Sequence, residues 1–418
     1  MSNYSREILL DYRSFFKRSL DRLKEEGGYR VFTDILRSAS DNPKAMHFKK
    51  DGTQQDVTVW CSNDYLGMSQ NPDVIKTTIA ALQNVGVGSG GTRNISGTSH
   101  YHVLLEEELA SLHKKEAGLL FTSGYVSNEA SLSTLGSKLE NCVFLSDERN
   151  HSSIIQGIRH SGAEKIIFKH NNVADLREKL IGIDIDRPKI IVFEAVYSMD
   201  GTISPMNEYC DLADEFNAMT YLDEVHAVGL YGKTGGGISE ELGVAERIDI
   251  IEGTLSKTFG VTGGYITGSA ELVDFVRSFA ASFIFTTSLP PALMAGALKS
   301  IQHLRQSEAE RAQFRTNVTL VKNELAGRGI PFENTRSHIV PIIIGDPKLC
   351  FSVAQDLLNN HSTYVQPINF PTVPKGSERL RVTVMPQHTP EMITNLGQAL
   401  QIVWEKYGLP FEESQMVG

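Results

Sequence analysis

Lys257 stands between hydroxyl residues and glycines in Gly253-Thr254-Leu255-Ser256-Lys257-Thr258-Phe259-Gly260, directly after an apolar run with Ile248, Ile250 and Ile251 that reads as a strand. An amine in such a setting can serve as a Schiff-base nucleophile. A little upstream, Tyr221-Leu222-Asp223-Glu224-Val225-His226 puts an acid and a histidine at the end of another apolar run. If Lys257 carries an aldehyde cofactor, pyridoxal 5'-phosphate (PLP) is the candidate, and its ring nitrogen needs a carboxylate to stay protonated. Asp223 is placed to be that carboxylate. Taken singly, a lysine among Ser, Thr and Gly reads as a solvated loop residue and an Asp at a strand end as a plain polar cap. Together the two motifs point to one site.

The elements that must position them alternate. Apolar runs near 117–121, 142–145, 165–168, 189–195, 219–222 and 248–251 are strand candidates with helical patterns between most of them. That rhythm predicts an α/β fold with a large, mainly parallel sheet covered by helices, and ligands beyond the carboxyl ends of its strands. Polar residues fall at several such ends. Thr122-Ser123-Gly124-Tyr125 opens a helix whose backbone N–H groups suit a phosphate. Asn150-His151-Ser152 follows Val143-Phe144-Leu145, and Ser198 follows Ile191-Val192-Phe193. Each could be no more than a helix cap; their convergence on one edge is the argument. The glycine-rich Gly86-Val87-Gly88-Ser89-Gly90-Gly91-Thr92-Arg93-Asn94 lacks both a dinucleotide fingerprint and a P-loop ending, and reads as a loop that brings backbone close to a ligand.

At the N-terminus, Ile8, Tyr12, Phe16, Leu20 and Leu23 have helical spacing with one apolar face, and Gly27-Gly28 ends the pattern before Arg30. A short strand over Val57-Thr58-Val59-Trp60 leads to the polar turn Cys61-Ser62-Asn63-Asp64-Tyr65-Leu66-Gly67. A long helix through Ala292–Leu304 leads out of the sheet. Strand candidates at Ile339–Ile344, Tyr364-Val365 and Arg379–Thr383, with a helix carrying Ile393, Leu396, Leu400 and Val403, predict a smaller α+β unit. The expected division is an N-terminal segment 1–55, a large α/β domain 56–305 and a small α+β domain 306–418.

With 418 residues and 41% hydrophobic side chains the chain can bury a large core. Its net charge of −10 and lack of any basic run disfavour nucleic acid, and no apolar run reaches membrane-spanning length. Cys61, Cys142, Cys210 and Cys350 lie far apart without metal-ligand spacing and read as reduced core thiols, so no metal site is expected. Glu7, Asp11 and Asp21 are unlike an organelle presequence, which predicts a cytoplasmic protein.

From about Arg30 to Trp404 the chain resembles the α-oxoamine synthases, PLP enzymes of the aspartate-aminotransferase fold type (fold type I) that join an amino acid to an acyl-CoA with decarboxylation. The resemblance is carried by Val59-Trp60-Cys61-Ser62-Asn63-Asp64-Tyr65-Leu66-Gly67, by Gly90-Gly91-Thr92-Arg93-Asn94-Ile95-Ser96-Gly97-Thr98 and by Tyr364-Val365-Gln366-Pro367-Ile368-Asn369-Phe370-Pro371-Thr372-Val373-Pro374. These are similar to the branch that condenses glycine with succinyl-CoA, losing CoA and CO2, to give 5-aminolevulinate for tetrapyrrole (haem) synthesis or for a secondary pathway. The resemblance implies that Lys257 holds PLP and acts as base and acid, that Asp223 pairs with the ring nitrogen, that His226 meets the ring hydroxyl and that His151 stacks on the ring. It further implies cofactor contacts from Thr254, Ser198, Gly124 and Tyr125, with Thr286 and Thr287 reaching the phosphate from the other subunit of a homodimer whose active sites are shared. For the substrates it implies Arg381 on the glycine carboxylate, Arg30 with Thr92 and Asn94 on the distal carboxylate of succinyl-CoA, Asn63 near both, and Ser146, Lys165 and Thr372 at the CoA ester. Ser256 and Val384-Met385-Pro386 depart from this branch's pattern, and Ser256 resembles the serine-palmitoyl branch. Ser256 keeps open a sister enzyme with another acyl-CoA, whereas Lys257, Asp223 and His151 argue against the third reading, a non-catalytic partner subunit.

Overall fold

The computed structural model describes residues 11–412. Its centre is a 7-stranded sheet built from β4 (Ala117–Phe121), β5 (Val143–Asp147), β6 (Glu164–Phe168), β7 (Lys189–Glu194), β8 (Met219–Asp223), β9 (Ile250–Thr254) and β10 (Gly264–Gly268), in the order β4-β10-β9-β8-β7-β5-β6. Strands β5 to β9 run parallel, and β10 is antiparallel to both its neighbours. Helices cover both faces, which is why β7 (Lys-Ile-Ile-Val-Phe-Glu) is buried at every position and reads as an uninterrupted apolar run rather than an alternating one. One core layer gathers Ile191, Phe193 and Leu222, and the opposite layer Ile190, Val192 and Tyr221.

Two smaller sheets flank it. β1 (Ile35–Arg37), β2 (Lys44–Phe48) and β3 (Gln54–Val59) form one with β12 (Thr363–Tyr364), so chain from both ends meets beside the Asn63 turn. The other has the order β11-β14-β13, from β11 (Val340–Ile343), β13 (Pro367–Ile368) and β14 (Arg379–Val382). β14 carries Arg381 toward the central sheet. The helices Pro291–Gln306, Ala309–Gly327 and Pro390–Tyr407 pack Ile301, Leu325 and Leu400 into a core shared with this sheet.

The expected strand at 248–251 begins later, at Ile250, because Ile248 ends a short turn and is buried under the sheet. β10 was not expected: Gly264, Thr267 and Gly268 dilute its apolar signal, and its burial comes from pairing on both edges. The N-terminal helix spans Tyr12–Glu25, with Ile8 outside the described residues. Its apolar side chains Tyr12, Phe16 and Leu20 are exposed in the single chain. The cysteines are free, with Cys142, Cys210 and Cys350 buried. Among the described residues no helix is long and apolar enough to cross a membrane.

The turn after β9 sets the position of Lys257. Leu255 N–H donates to Gly263 O and Val261 N–H to Leu255 O, each at 2.9 Å, while Gly260 N–H closes onto Lys257 O at 2.9 Å. Gly260 has φ +70°, and a Cβ there would lie 2.6 Å from the carbonyl carbon of Met68. Gly260→Ala is therefore expected to cost roughly 1–3 kcal/mol from the left-handed backbone alone, read as a lower denaturant midpoint at unchanged slope.

Candidate active site

β8 ends at Asp223 and β9 at Thr254, so the carboxyl edge of the sheet presents Asp223, His226, Thr254 and, one turn later, Lys257. They line a cavity of about 230 Å³ with Gly124, Tyr125, Asn128, His151 and Glu194. Lys257 Nζ lies 3.0 Å from His226 Nε2. Burial, with Arg381 nearby, pulls the lysine down to about 8 against the opposing pull of Asp223. An amine in that range is free in an appreciable fraction near neutral pH. Burial, reinforced by Lys257 and Arg381, also pushes His226 well below the usual histidine range, so its ring is neutral.

The strand register explains the acidic wall. Glu194 pairs with Asp223 across β7 and β8, and Asp223 with Glu252 across β8 and β9. Register partners project to one face, so the three carboxyl groups form a row behind the cavity. All are buried. Asp223 accepts from Val225 N–H at 2.9 Å and from Asn128 Nδ2 at 2.8 Å. Burial and the adjacent Asp223 push both Glu194 and Glu252 well above the usual carboxyl range. The outer two acids are thus biased toward their protonated forms on either side of Asp223.

Arg381 is buried, and among the described residues it meets no carboxylate. Its Nε donates to Ser198 O at 2.7 Å, Nη1 to Asn63 Oδ1 at 2.9 Å and Nη2 to Tyr65 Oη at 2.8 Å. A guanidinium has five N–H donors. One on Nη1 is left, and the second on Nη2 has only a long 3.4 Å contact to His226 Nδ1, so the pair can still turn to a carboxylate as a bidentate fork. On the opposite wall, Ser123 caps the helix Gly124–Lys138 through Val126 N–H at 3.2 Å. The N–H groups of Gly124 and Tyr125 have no intrahelical acceptor, which makes this an anion cradle.

The sequence matches the family model for aminotransferase class I and II over residues 55–400. It is 58% identical over 400 residues to the 5-aminolevulinate synthase of Rhizobium meliloti (strain 1021), covering 96% of this chain and 99% of that protein. The chain belongs to the 5-aminolevulinate synthase family. The 5-aminolevulinate synthase of Bradyrhizobium diazoefficiens is 50% identical, over 97% of this chain and 99% of its own length. Among solved structures, a serine palmitoyltransferase variant from S. paucimobilis with bound PLP and myriocin superimposes with a TM-score of 0.87 at 29% identity, covering 97% of this chain and 100% of that one. The Sphingomonas wittichii serine palmitoyltransferase gives 0.86 at 28% identity, over 96% and 99%.

Within the 5-aminolevulinate synthase fold of this chain, the expected residues divide into groups. Lys257, Asp223, His226, His151, Thr254, Gly124 and Tyr125 share the cavity, while Arg381, bonded to Asn63, lies behind it with Nη2 3.4 Å from His226 Nδ1. Ser198 meets Arg381 by its carbonyl and does not line the cavity. Arg30 Nη2 donates to Thr372 Oγ1 at 3.0 Å in a separate cleft of about 230 Å³. Thr92 bonds Asn94 at 2.8 Å and forms a bridge with Thr287, which with Thr286 lines a different cleft beside Arg93. Ser146 is buried against Asn150 at 2.9 Å, and Lys165 is exposed on the edge strand β6.

Sequence reading missed Asn128, Glu252, Glu194 and the part played by Tyr65. Asn128 Nδ2 reaches Ser153 Oγ at 3.1 Å and Glu252 Oε2 at 3.4 Å as well as Asp223, while its Oδ1 accepts from Tyr221 Oη at 3.0 Å. Its sole sequence signal is an asparagine inside an otherwise good helix, one turn from the cap. Asn128→Ala would leave Asp223 and Tyr221 short of partners, costing about 1–3 kcal/mol, to be read by chemical denaturation.

Proposed function

We propose that this chain condenses glycine with succinyl-CoA, releasing CoA and CO2 and giving 5-aminolevulinate for tetrapyrrole synthesis, with PLP held at Lys257. The observation that carries the reading is a buried lysine pulled down to about 8 and a hydrogen-bonded, buried aspartate in one cavity, with a buried arginine that meets no carboxylate beside it at His226. The cavity fits PLP on its own chemistry. Asp223 suits a protonated ring nitrogen, and the Gly124 and Tyr125 N–H groups at the start of their helix suit a phosphate.

PLP when bound supplies an electron sink for the pair left at the glycine α-carbon. Lys257 Nζ would hold the cofactor, and as a free amine it would take and return the proton at the glycine α-carbon. Arg381 fixes the glycine carboxylate so that the bond to be broken has one orientation. Asp223, held in place by Val225 N–H and Asn128, would pair with a protonated ring nitrogen and so stabilise charge developing in the transition state. His226 offers a neutral ring to the group on Lys257, and His151 forms the facing wall. Arg30 with Thr92 and Asn94 selects the distal succinyl carboxylate, with Thr372, Ser146 and Lys165 on the CoA side.

Within one chain Thr92 and Asn94 make no hydrogen bond to Arg30 among the described residues, and Thr286 and Thr287 stand away from the Lys257 cavity. Phe285 is 80% exposed beside them and Ile95 68%. This pattern supports a homodimer in which a second copy covers these apolar residues and receives the threonines in its own site. A cytoplasmic location belongs to the same proposal, in keeping with the bacterial relatives.

CoA release from PLP-loaded protein with glycine should be strongest with succinyl-CoA among succinyl, acetyl, pimeloyl and palmitoyl thioesters. Arg30→Leu should raise the succinyl-CoA KM about tenfold or more, for a lost charged hydrogen bond, and leave glycine binding unchanged; preference for another thioester overturns the substrate assignment. A second measurement follows PLP uptake by apo-protein. The amine attacks unprotonated, so the rate should rise with pH through about 8 rather than near the ordinary lysine value of about 10.4. Lys257→Ala should form no visible absorbance band.

A further inference from the structure

We infer that Tyr65 fixes the tautomer of His226 and couples it to Arg381, making Tyr65 a positioning residue of the reaction. The inference rests on the reading that the cavity takes PLP at Lys257. Tyr65 is fully buried in the polar turn after β3, its ring edge-on to His338 at 4.6 Å and beside Phe314. Its hydroxyl meets Arg381 Nη2 at 2.8 Å, His226 Nδ1 at 2.7 Å and Asn63 Oδ1 at 3.1 Å.

Counting protons decides the direction of each bond. Arg381 can only donate, so it takes a lone pair of the Tyr65 oxygen. The phenol has one proton and two acceptors to choose from. Asn63 Oδ1 is already supplied by Arg381 Nη1 at 2.9 Å, whereas Nδ1 of His226 has only a poor second donor, Arg381 Nη2 at 3.4 Å. The phenol proton therefore goes to Nδ1 along the shorter contact. Lys257, Arg381, His338 and His151 all face the His226 ring and disfavour a second proton on it. With Nδ1 accepting and the ring neutral, the proton sits on Nε2, the nitrogen 3.0 Å from Lys257 Nζ. His226 thus presents a donor to whatever group Lys257 holds. The other tautomer would point a lone pair there, make the phenol oxygen accept from both Arg381 and Nδ1, and send its proton along the longer contact to the already supplied Asn63 Oδ1. The same hydroxyl braces the guanidinium that receives the glycine carboxylate, so occupancy of Arg381 and the donor strength of His226 are linked through one oxygen.

The test uses full-length, PLP-loaded protein and reads the pH midpoint of its visible absorbance band and the glycine dissociation constant. Tyr65→Phe keeps the ring packing and removes the hydroxyl. It is expected to move the band's midpoint by about half a pH unit or more and to weaken glycine about tenfold. Asn63→Ala removes an acceptor of Arg381 without touching His226, and is expected to weaken glycine while leaving the midpoint in place. If Tyr65→Phe weakens glycine but leaves the midpoint alone, or changes neither, the tautomer role is overturned. If Asn63→Ala moves the midpoint as far as Tyr65→Phe does, the shift belongs to Arg381 and the role is again overturned. A wild-type protein with no Lys257-dependent band would instead remove the PLP reading itself.

Discussion

The register that sets Glu194, Asp223 and Glu252 side by side on β7, β8 and β9 is the constraint on which the site depends. Three full negative charges buried in such a row would repel one another and would each forgo hydration, a cost that no fold of this size could absorb. The row is tolerable because it is not fully charged. Glu194 and Glu252 are pushed toward their protonated forms, while Asp223 between them accepts from Val225 N–H and Asn128. Glu194 in turn accepts from His151 N–H at 2.6 Å, fixing the residue that closes the cavity. Strand order and burial thereby relieve the repulsion along the row.

Lys257 is the counterpart. Burial alone would strip its proton; Asp223 alone would keep it; Arg381 tips the balance back toward the amine. The outcome depends on elements far apart in sequence. β8 supplies the acid, the turn after β9 the lysine and β14 the guanidinium, so the amine's readiness reports whether the flanking sheet is seated on the central one.

How far this could be read from sequence follows from where each signal lies. Lys257 and Asp223 were legible because each sits at the end of an apolar run in a short polar cluster, and a parallel sheet assembles such ends on one edge. Arg381 carried no local signal as a ligand; within Arg379-Leu380-Arg381-Val382 it alternates like any strand charge, and the family motif alone pointed to it. Glu252 and Asn128 were hidden for another reason. Inside a buried strand or helix a single polar residue looks like a defect in an apolar pattern, and only the three-dimensional register reveals that these residues neighbour Asp223. β10 was hidden because its glycines serve close packing: a Cβ on Gly264 would strike the backbone of Ser123 and Gly124, at the mouth of the cradle.

The unpaired state of Arg381 is itself a functional statement. A buried guanidinium bound only to neutral acceptors is a less stable arrangement than one paired with a carboxylate, since much of its hydration is gone and no charge replaces it. Replacing Asn63 by an acid would satisfy it and harden the fold, yet it would also neutralise the guanidinium. The chain instead surrounds it with an amide oxygen, a phenol and a backbone carbonyl, which hold the plane of the guanidinium without neutralising it. A carboxylate brought to this fork would gain interaction that the neutral acceptors do not supply. Stability withheld at one arginine is in this way kept available for orienting a ligand, which is where binding energy does most for a rate.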